Sequence, residues 1–128
     1  MFCFTIRKKG RKYFRFISDH LDWNLPGNKQ KFPWTGKRQT KKEIEEFFKE
    51  LYSNVKPEKF EIDFIAVNGE NATATGHLSS KILKFNKIFT TEFVVIFKVV
   101  NGKIVKYHFL EDSYKLNEEM QSEAINVQ

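Results

Sequence analysis

The chain has 128 residues, 16% of them aromatic including 14 Phe, and a formal net charge of +6. This length predicts one domain over residues 1–128, with an atypically short start at 1–10 and a tail at 117–128. A single Cys excludes an intrachain disulfide and a cysteine-based zinc site, so a cytoplasmic protein is expected. The apolar run at 2–6 is too short for a signal core or a membrane span.

The net charge comes from one cluster near the start of the chain. Six of the 22 basic residues lie between positions 7 and 15, and the other 16 balance the 16 acidic residues. They are Arg7, Lys8, Lys9, Arg11, Lys12 and Arg15. A solvated helix face or tail is the commoner meaning of such a cluster, and an anionic surface is the alternative. No DNA- or RNA-binding motif accompanies it, so nucleic acid is not an expected partner.

In the first third of the chain, Phe14, Ile17 and Leu21 recur at helical spacing, which predicts a short helix over 11–21. The segment 22–27 then predicts a brief strand ended by a Pro-Gly turn. Residues 28–39 are predicted to form a loop.

A longer helix is predicted from Thr40. Thr40 and Glu43 have the spacing of a capping box, in which each side chain bonds a free backbone N–H of the first turn. An apolar stripe follows, made of Ile44, Phe47, Phe48, Leu51 and Val55. The helix should end near Asn54, ahead of Pro57.

The second half of the chain predicts a run of antiparallel strands. They cover about 60–67, a strand from Ala72, and a hairpin over 91–112, with a polar link at 84–87 and a helical tail from Ser113. Asn101-Gly102 predicts a two-residue type I′ turn in the hairpin. Helices followed by a strand meander are typical of an α+β fold.

The turn also predicts which hairpin residues share a face. One face would hold Thr91, Phe93, Val95, Phe97 and Val99 opposite Asp112, Leu110, His108, Lys106 and Ile104. The other would hold Glu92, Val94, Ile96 and Lys98 opposite Glu111, Phe109, Tyr107 and Val105. Both faces are mostly apolar, so one should cover a core or pocket and the other should meet more protein. An even-length loop at Asn68-Gly69 would likewise put Phe60, Ile62 and Phe64 with Thr73, Thr75 and His77.

Several segments together resemble the SnoaL-like, ketosteroid-isomerase-related branch of the nuclear-transport-factor-2-like superfamily. They are LDWNLPG at 21–27, WTG at 34–36, IEEFF at 44–48, FVVIF at 93–97, NGKIV at 101–105 and EDS at 111–113. The resemblance covers about residues 10–116 and implies a cone-shaped α+β barrel of a curved antiparallel sheet, with the N-terminal helices on its concave face. It also implies a hydrophobic pocket and a homodimer through an outer sheet face formed by Val94, Ile96, Tyr107 and Phe109.

The chain departs from that family in two places. Only nine residues precede Gly10, where relatives have a full helix, and Arg11 stands where they have Asp. The base, oxyanion-hole Tyr and second acid of the steroid isomerases would fall at Leu25, near Cys3 and near Val94 or Val95. None of these groups is present, so the steroid isomerase mechanism is not expected.

Asp112 and His108 are the candidate catalytic residues. The resemblance places Asp112 where SnoaL-like cyclases keep an acid/base carboxylate, and the predicted register puts His108 on the same face, about 13 Å away. Each has a structural alternative, because Asp112 or Ser113 could cap the terminal helix and a lone His is commonly a hydrogen-bonded core residue. Candidate pocket residues are Trp23, Trp34, Phe93, Val95, Phe97 and Leu110, which ordinary core packing would explain equally well.

No metal site is expected, because His20, His77 and His108 lack ligand spacing. The leading hypothesis is a SnoaL-like protein that binds an apolar, ring-containing molecule, with or without proton transfer, and needs no cofactor. The alternative is a non-catalytic, dimeric ligand-binding or interaction domain whose cavity is filled by its own Phe side chains. Binding of an anionic surface through residues 7–15 is a third hypothesis.

Overall fold

The computed structural model describes residues 14–121, which form six strands and two α-helices. In chain order they are β1 (Ile17–Leu25), β2 (Gly36–Thr40), α1 (Lys41–Asn54), β3 (Val55–Asn68), β4 (Asn71–Ile82), β5 (Lys87–Val100), β6 (Lys103–Glu111) and α2 (Ser113–Glu119). Most of the basic cluster, residues 7–13, lies outside the described residues, as does the end of the tail at 122–128.

The six strands form one curled sheet in the order β2-β1-β6-β5-β4-β3. Every neighbouring pair is antiparallel except β1 and β6, which run parallel, so the sheet is mixed. The core lies between α1 and one face of the sheet, here called the inner face; the opposite face is the outer face. The predicted α+β fold is therefore confirmed. Within residues 14–121, neither α1 with 14 residues nor α2 with 7 could span a bilayer.

α1 begins and ends where its sequence signals predict. The Thr40 hydroxyl accepts a hydrogen bond from the Glu43 backbone N–H at 3.2 Å, and Glu43 accepts one in return from the backbone N–H of Gln39 at 3.0 Å. The helix buries Ile44, Phe47 and Phe48 and ends at Asn54. The capping box and the apolar stripe therefore fix α1 against the inner face.

The predicted helix over 11–21 is wrong for its described part beyond Phe16, because strand β1 starts at Ile17. The buried apolar residues of β1 are Ile17, Leu21, Trp23 and Leu25, all separated by even numbers of residues. Side chains two or four apart share one face of a strand, so the same spacing also fits a strand. The predicted loop at 28–39 is wrong in part, because β2 begins at Gly36.

The β5–β6 turn forms as predicted, with φ of 51° at Asn101 and 78° at Gly102. Val99 pairs with Ile104 as expected, but a bulge at Val105 then brings Lys98 opposite Lys106. Beyond this bulge the predicted pairings are wrong by one residue. Because successive side chains alternate between faces, the shift exchanges the two faces of β6.

The inner face of the hairpin consists of Phe93, Val95 and Phe97 with Tyr107, Phe109 and Glu111. Tyr107 is 2% exposed and Phe109 8%, so their predicted position on the outer face is wrong. His108 and Leu110 take that position instead, opposite Ile96 and Val94. Burying two aromatic side chains stabilises the fold by about 1.5–3 kcal/mol each, whereas the predicted register would have buried Lys106 and His108.

A second bulge lies in β3 at Asp63. Phe64 faces Thr75 as predicted, but Phe60 faces Leu78 and Ile62 faces Gly76, on the inner face. His77 is paired with Glu61 on one side and with Glu92 on the other. The predicted Glu92–Glu111 pair is also wrong, because Glu111 lies opposite Phe93. A further shift of register in β3 lies between Pro57 and Lys59. These irregularities in β3 and β6 decide which residues reach the pocket described next.

Candidate functional site

An apolar pocket of about 90 Å³ lies between α1, the inner face of the sheet and α2. Its lining consists of Leu25, Trp34, Phe47, Leu51, Val55, Pro57, Phe60, Leu78, Ser80, Ile82, Phe89, Phe109, Glu111 and Leu116. Only Ser80 and Glu111 bring polar side chains to this lining. Pro57, Ser80 and Glu111 are half-buried, so the pocket reaches solvent on their side.

Glu111 is the one ionisable residue in the pocket lining. It is the last residue of β6, pairs with Phe93 and follows Tyr107 and Phe109 along the inner face. Burial in these apolar surroundings raises the pKa of its carboxyl from 4.5 to about 7. Within residues 14–121 the carboxyl makes no hydrogen bond or ion pair, so it is free to interact with a small molecule.

Asp112, the predicted catalytic residue, is exposed and lies outside the pocket lining. Its side chain accepts a hydrogen bond from the backbone N–H of Lys115 at 2.9 Å and caps α2. The alternative role that the sequence offered for Asp112 is thus present in the structure. Its catalytic role stays a prediction.

His108, the second predicted catalytic residue, lies on the outer face and does not share a face with the pocket. Its Nε2 atom is 2.8 Å from a carboxylate oxygen of Asp22, although the contact lacks hydrogen-bond alignment. His108 lies on the outer face because the bulge at Val105 turns its side chain away from the core. The predicted grouping of His108 with Asp112 in one pocket is therefore wrong.

The six predicted pocket residues are divided among three places. Trp34 lines the pocket, whereas Leu110 is on the outer face and 37% exposed. Trp23, Phe93 and Val95 belong to the hydrophobic core beside the pocket, and Phe97 is half-buried against that core. In that core Trp23 stacks on Tyr107 with ring centroids 4.2 Å apart, and Phe93 stacks on Phe109 at 5.1 Å.

Arg38 holds the pocket wall that contains Trp34. This β2 residue is 5% exposed, and its guanidinium donates hydrogen bonds of 3.1–3.2 Å to the carbonyls of Pro33, Trp34 and Thr35. It also lies 5.4 Å from the centroid of the Phe47 ring. Burial lowers the pKa of Arg38, with carboxylates of α1 opposing that shift. Arg38 thus connects two lining residues.

One set of potential metal ligands occurs in the described part of the chain, although the sequence predicts none. Glu61, Asp63 and His77 bring their ligand atoms within 4.8 Å of one another on the outer face. A carboxylate oxygen lies 3.0 Å from Nε2 of His77 and another 2.9 Å from Nδ1. The hydrogen bond that the His77 ring donates to the Asp63 carboxylate raises the pKa of His77, as expected for an imidazolium between two acids. An ion-paired histidine explains this set without a metal.

Sequence reasoning overlooked Glu111 as a site residue. The sequence signal was the position of Glu111 two residues after Phe109 and four after Tyr107, because side chains at even spacing along a strand lie on the same face. Recognising that face as the buried one required the bulge at Val105. Arg38 was overlooked because a basic residue in a polar segment is normally exposed.

Comparison with known proteins places this geometry in a family. The sequence profile of the SnoaL-like domain matches residues 14–107. A search of curated proteins found no match.

Solved structures show the same fold at low sequence identity. A nuclear-transport-factor-2-like protein from Burkholderia xenovorans is 16% identical with a TM-score of 0.81, covering 93% of this chain and 90% of its own. A proposed isomerase from Rhodopseudomonas palustris is 18% identical, with a TM-score of 0.77 and coverages of 88% and 84%. A proposed SnoaL-like polyketide cyclase from Mesorhizobium loti is 15% identical, with a TM-score of 0.65 and coverages of 84% and 91%. The profile match spans most of the chain, and the chain therefore belongs to the SnoaL-like family.

Proposed function

We propose that this protein binds a small, largely apolar, ring-containing molecule in the pocket and transfers a proton to or from it through Glu111. The observation that carries this proposal is a carboxyl with a pKa of about 7 and no protein partner among residues 14–121, inside an apolar lining. Isomerisation, cyclisation and water addition are the reactions that such a group serves. The isomerase and cyclase names of the structural relatives agree with this class.

The pKa explains why Glu111 suits this chemistry better than an exposed carboxylate. Near pH 7 a group with a pKa of about 7 is populated in both its acid and its base form. An exposed carboxylate would be almost fully ionised there and a weak base. Glu111 can therefore accept a proton from one carbon atom of a substrate and return it to another.

The pocket limits how much of the ligand is enclosed. Its volume of about 90 Å³ is smaller than the roughly 150 Å³ of an apolar protein cavity that holds benzene. A ligand would place one ring, or part of one, against Phe47 and Phe109 and extend past Pro57 and Ser80 to solvent. A multi-ring substrate would not be enclosed.

Proton transfer can be tested without the natural substrate, using cyclohexanone as the probe. We expect the protein to accelerate exchange of its α-hydrogens in D₂O, followed by proton NMR, above the rate in matched buffer. Glu111→Gln should return the rate to the buffer value because the amide cannot take up a proton. Asp112→Asn tests whether Asp112 is the catalytic residue instead. Loss of exchange in that variant alone would contradict the role of Glu111.

A non-catalytic ligand-binding or interaction domain is the second candidate function. The observation in its favour is that four Phe side chains, Phe47, Phe60, Phe89 and Phe109, line a small pocket. In that case cyclohexanone would perturb the NMR signals of lining residues, yet exchange would stay at the buffer rate. We also propose a cytoplasmic location, because the single Cys suits a reducing compartment.

A further inference from the structure

One end of the sheet is formed by two hairpin turns and the start of β1. Asn71 pairs with Lys98, so the β3–β4 turn lies beside the end of β5 and the β5–β6 turn that follows it. Ile17 pairs with Ile104, which puts the start of β1 at the same end. Four interstrand spacings of about 4.8 Å separate β1 from β3, so this end is about 19 Å wide. It is here called the tip end and comprises residues 15–16, 65–71 and 98–106.

The tip end exposes large apolar side chains. Val67 is 71% exposed, Ile65 55%, Phe16 40% and Val99 39%. Single exposed apolar residues are common on protein surfaces, but four at one end of a sheet form a patch. Patches of this kind mark surfaces that bind a protein or a membrane.

The tip end is also basic. It contains Arg15, Lys98, Lys103 and Lys106 against one acid, Glu70. Lys98 lies directly opposite Lys106, and like charges across strands are destabilising unless a counter-charge approaches them. Among residues 14–121, none of these four basic side chains forms an ion pair. The tip end therefore carries positive charge that the described chain does not neutralise.

The nearest acids toward the middle of the sheet contact histidines instead of these lysines. Asp63 is 2.9 Å from Nδ1 of His77, and Asp22 is 2.8 Å from Nε2 of His108. The sequence adds more positive charge, since five basic residues at 7–12 come shortly before Arg15. An anionic partner is therefore favoured at the tip end.

We propose that the tip end binds the surface of an anionic lipid membrane. Ile65, Val67 and Val99 enter the headgroup region, and the lysines of the tip end contact the charged headgroups. A nucleic acid would use the positive charges, but it would have no use for aliphatic side chains, which offer no ring for a base to stack on. Apolar exposure and positive charge at the same end therefore select a lipid surface.

The opposite end of the sheet is less suited to a membrane. Ile88 is 59% exposed there. The ammonium groups of Lys87 and Lys115, however, donate hydrogen bonds of 2.8–3.3 Å to backbone carbonyls. Helix α2 also brings the acids Glu118 and Glu119 to that end. The opposite end thus provides matched control positions for the tip end.

Membrane binding at the tip end does not involve the pocket. Pro57 and Ser80, where the pocket reaches solvent, pair with each other ten residues along β3 from Val67. That separation is about 30 Å at the rise of a strand. A bound membrane would leave the pocket open, so Glu111→Gln should bind vesicles like the wild type. Failure of the proton-transfer proposal would therefore not affect this one.

Cosedimentation of the full chain with lipid vesicles tests the proposal. The wild type should bind phosphatidylcholine vesicles that contain about 30% phosphatidylserine better than pure phosphatidylcholine, and less well at about 300 mM than at about 50 mM NaCl because salt screens the charges. Lys98→Gln/Lys106→Gln should weaken binding at least about tenfold. Ile65→Ser/Val67→Ser should also weaken it about tenfold, because less apolar surface is buried.

The control variants make the same changes at the opposite end. Lys56→Gln/Lys81→Gln removes another pair of lysines that face each other across two strands, and Ile88→Ser removes another exposed apolar side chain. Both should bind vesicles like the wild type, and circular dichroism of each variant separates loss of folding from loss of binding.

Three results would overturn the proposal. The first is a wild type that does not bind the anionic vesicles. The second is equal weakening by the lysine pairs of both ends, which would mean that net charge and not the tip end drives binding. The third is binding that resists Ile65→Ser/Val67→Ser and is matched by binding to duplex DNA, which would indicate a general polyanion site.

Discussion

Replacing Glu111 by Gln should remove a pH dependence from the stability of the protein. The folded carboxyl has a pKa of about 7 and the unfolded one its ordinary value of 4.5. Between these values the unfolded chain loses a proton that the folded chain keeps, so stability falls as pH rises. The stabilisation that comes from the protonated Glu111 carboxyl is fully present below pH 4.5 and is lost above about pH 7. The shift corresponds to about 3 kcal/mol at 1.36 kcal/mol per pKa unit.

Urea unfolding of the wild type and Glu111→Gln at pH 4, 5, 6, 7 and 8 measures this effect. The free energy of unfolding of the variant, relative to the wild type, should rise by about 3 kcal/mol from pH 4 to pH 8. The buried amide adds a cost of its own, but that cost does not change with pH. As a control, Ser80→Ala changes another lining residue, and its free energy of unfolding should differ from that of the wild type by an amount that does not change with pH. If the difference in free energy of unfolding between Glu111→Gln and the wild type does not change with pH, then the raised pKa of Glu111 is refuted, and the proton-transfer proposal with it.

Three further substitutions test other parts of the fold by urea unfolding. Asp112→Ala should cost about 0.5–2 kcal/mol through loss of the α2 cap, whereas an unchanged stability would argue against that cap. Gly76→Ala should lower the free energy of unfolding by about 1–3 kcal/mol, because the added methyl group would collide with a backbone carbonyl of β3 and would lie 2.7 Å from a ring carbon of Phe93. An unchanged stability would mean that β3 shifts easily. Arg38→Met should cost about 2–4 kcal/mol and shift Trp fluorescence, since it leaves three carbonyls without their donor. Its exposed neighbour in Lys37→Met should stay within about 0.5 kcal/mol of the wild type.

Local signals in the sequence were sufficient for several elements. Thr40 and Glu43 predicted the start of α1, and Asn101-Gly102 predicted the turn between β5 and β6. Each of these depends on hydrogen bonds or φ angles within a few residues, so no distant contact decides them. The α+β fold followed from their order along the chain.

The site depended on packing over longer distances. The bulge at Val105 has no strong local signal, because it forms where it lets Tyr107 and Phe109 reach the core. Missing it by one residue put His108 on the inner face in place of Phe109, and Glu111 on the outer face. Asp112 was expected from the family resemblance, and its catalytic role stays a prediction. The spacing of Ile17 and Leu21 fits both a helix and a strand, and pairing with β6 decided for the strand.

Glu111 and Asp112 are consecutive residues with separate contacts, one in the pocket and the other at the start of α2. Leu116 of that helix also lines the pocket. A ligand held by the Glu111 carboxyl would therefore restrain the covalently attached cap, and ordering of α2 would favour the bound position of the carboxyl. Thermodynamic reciprocity makes these two effects equal in free energy. Amide hydrogen exchange in residues 113–119 would then report occupancy of the pocket, without a label on either partner.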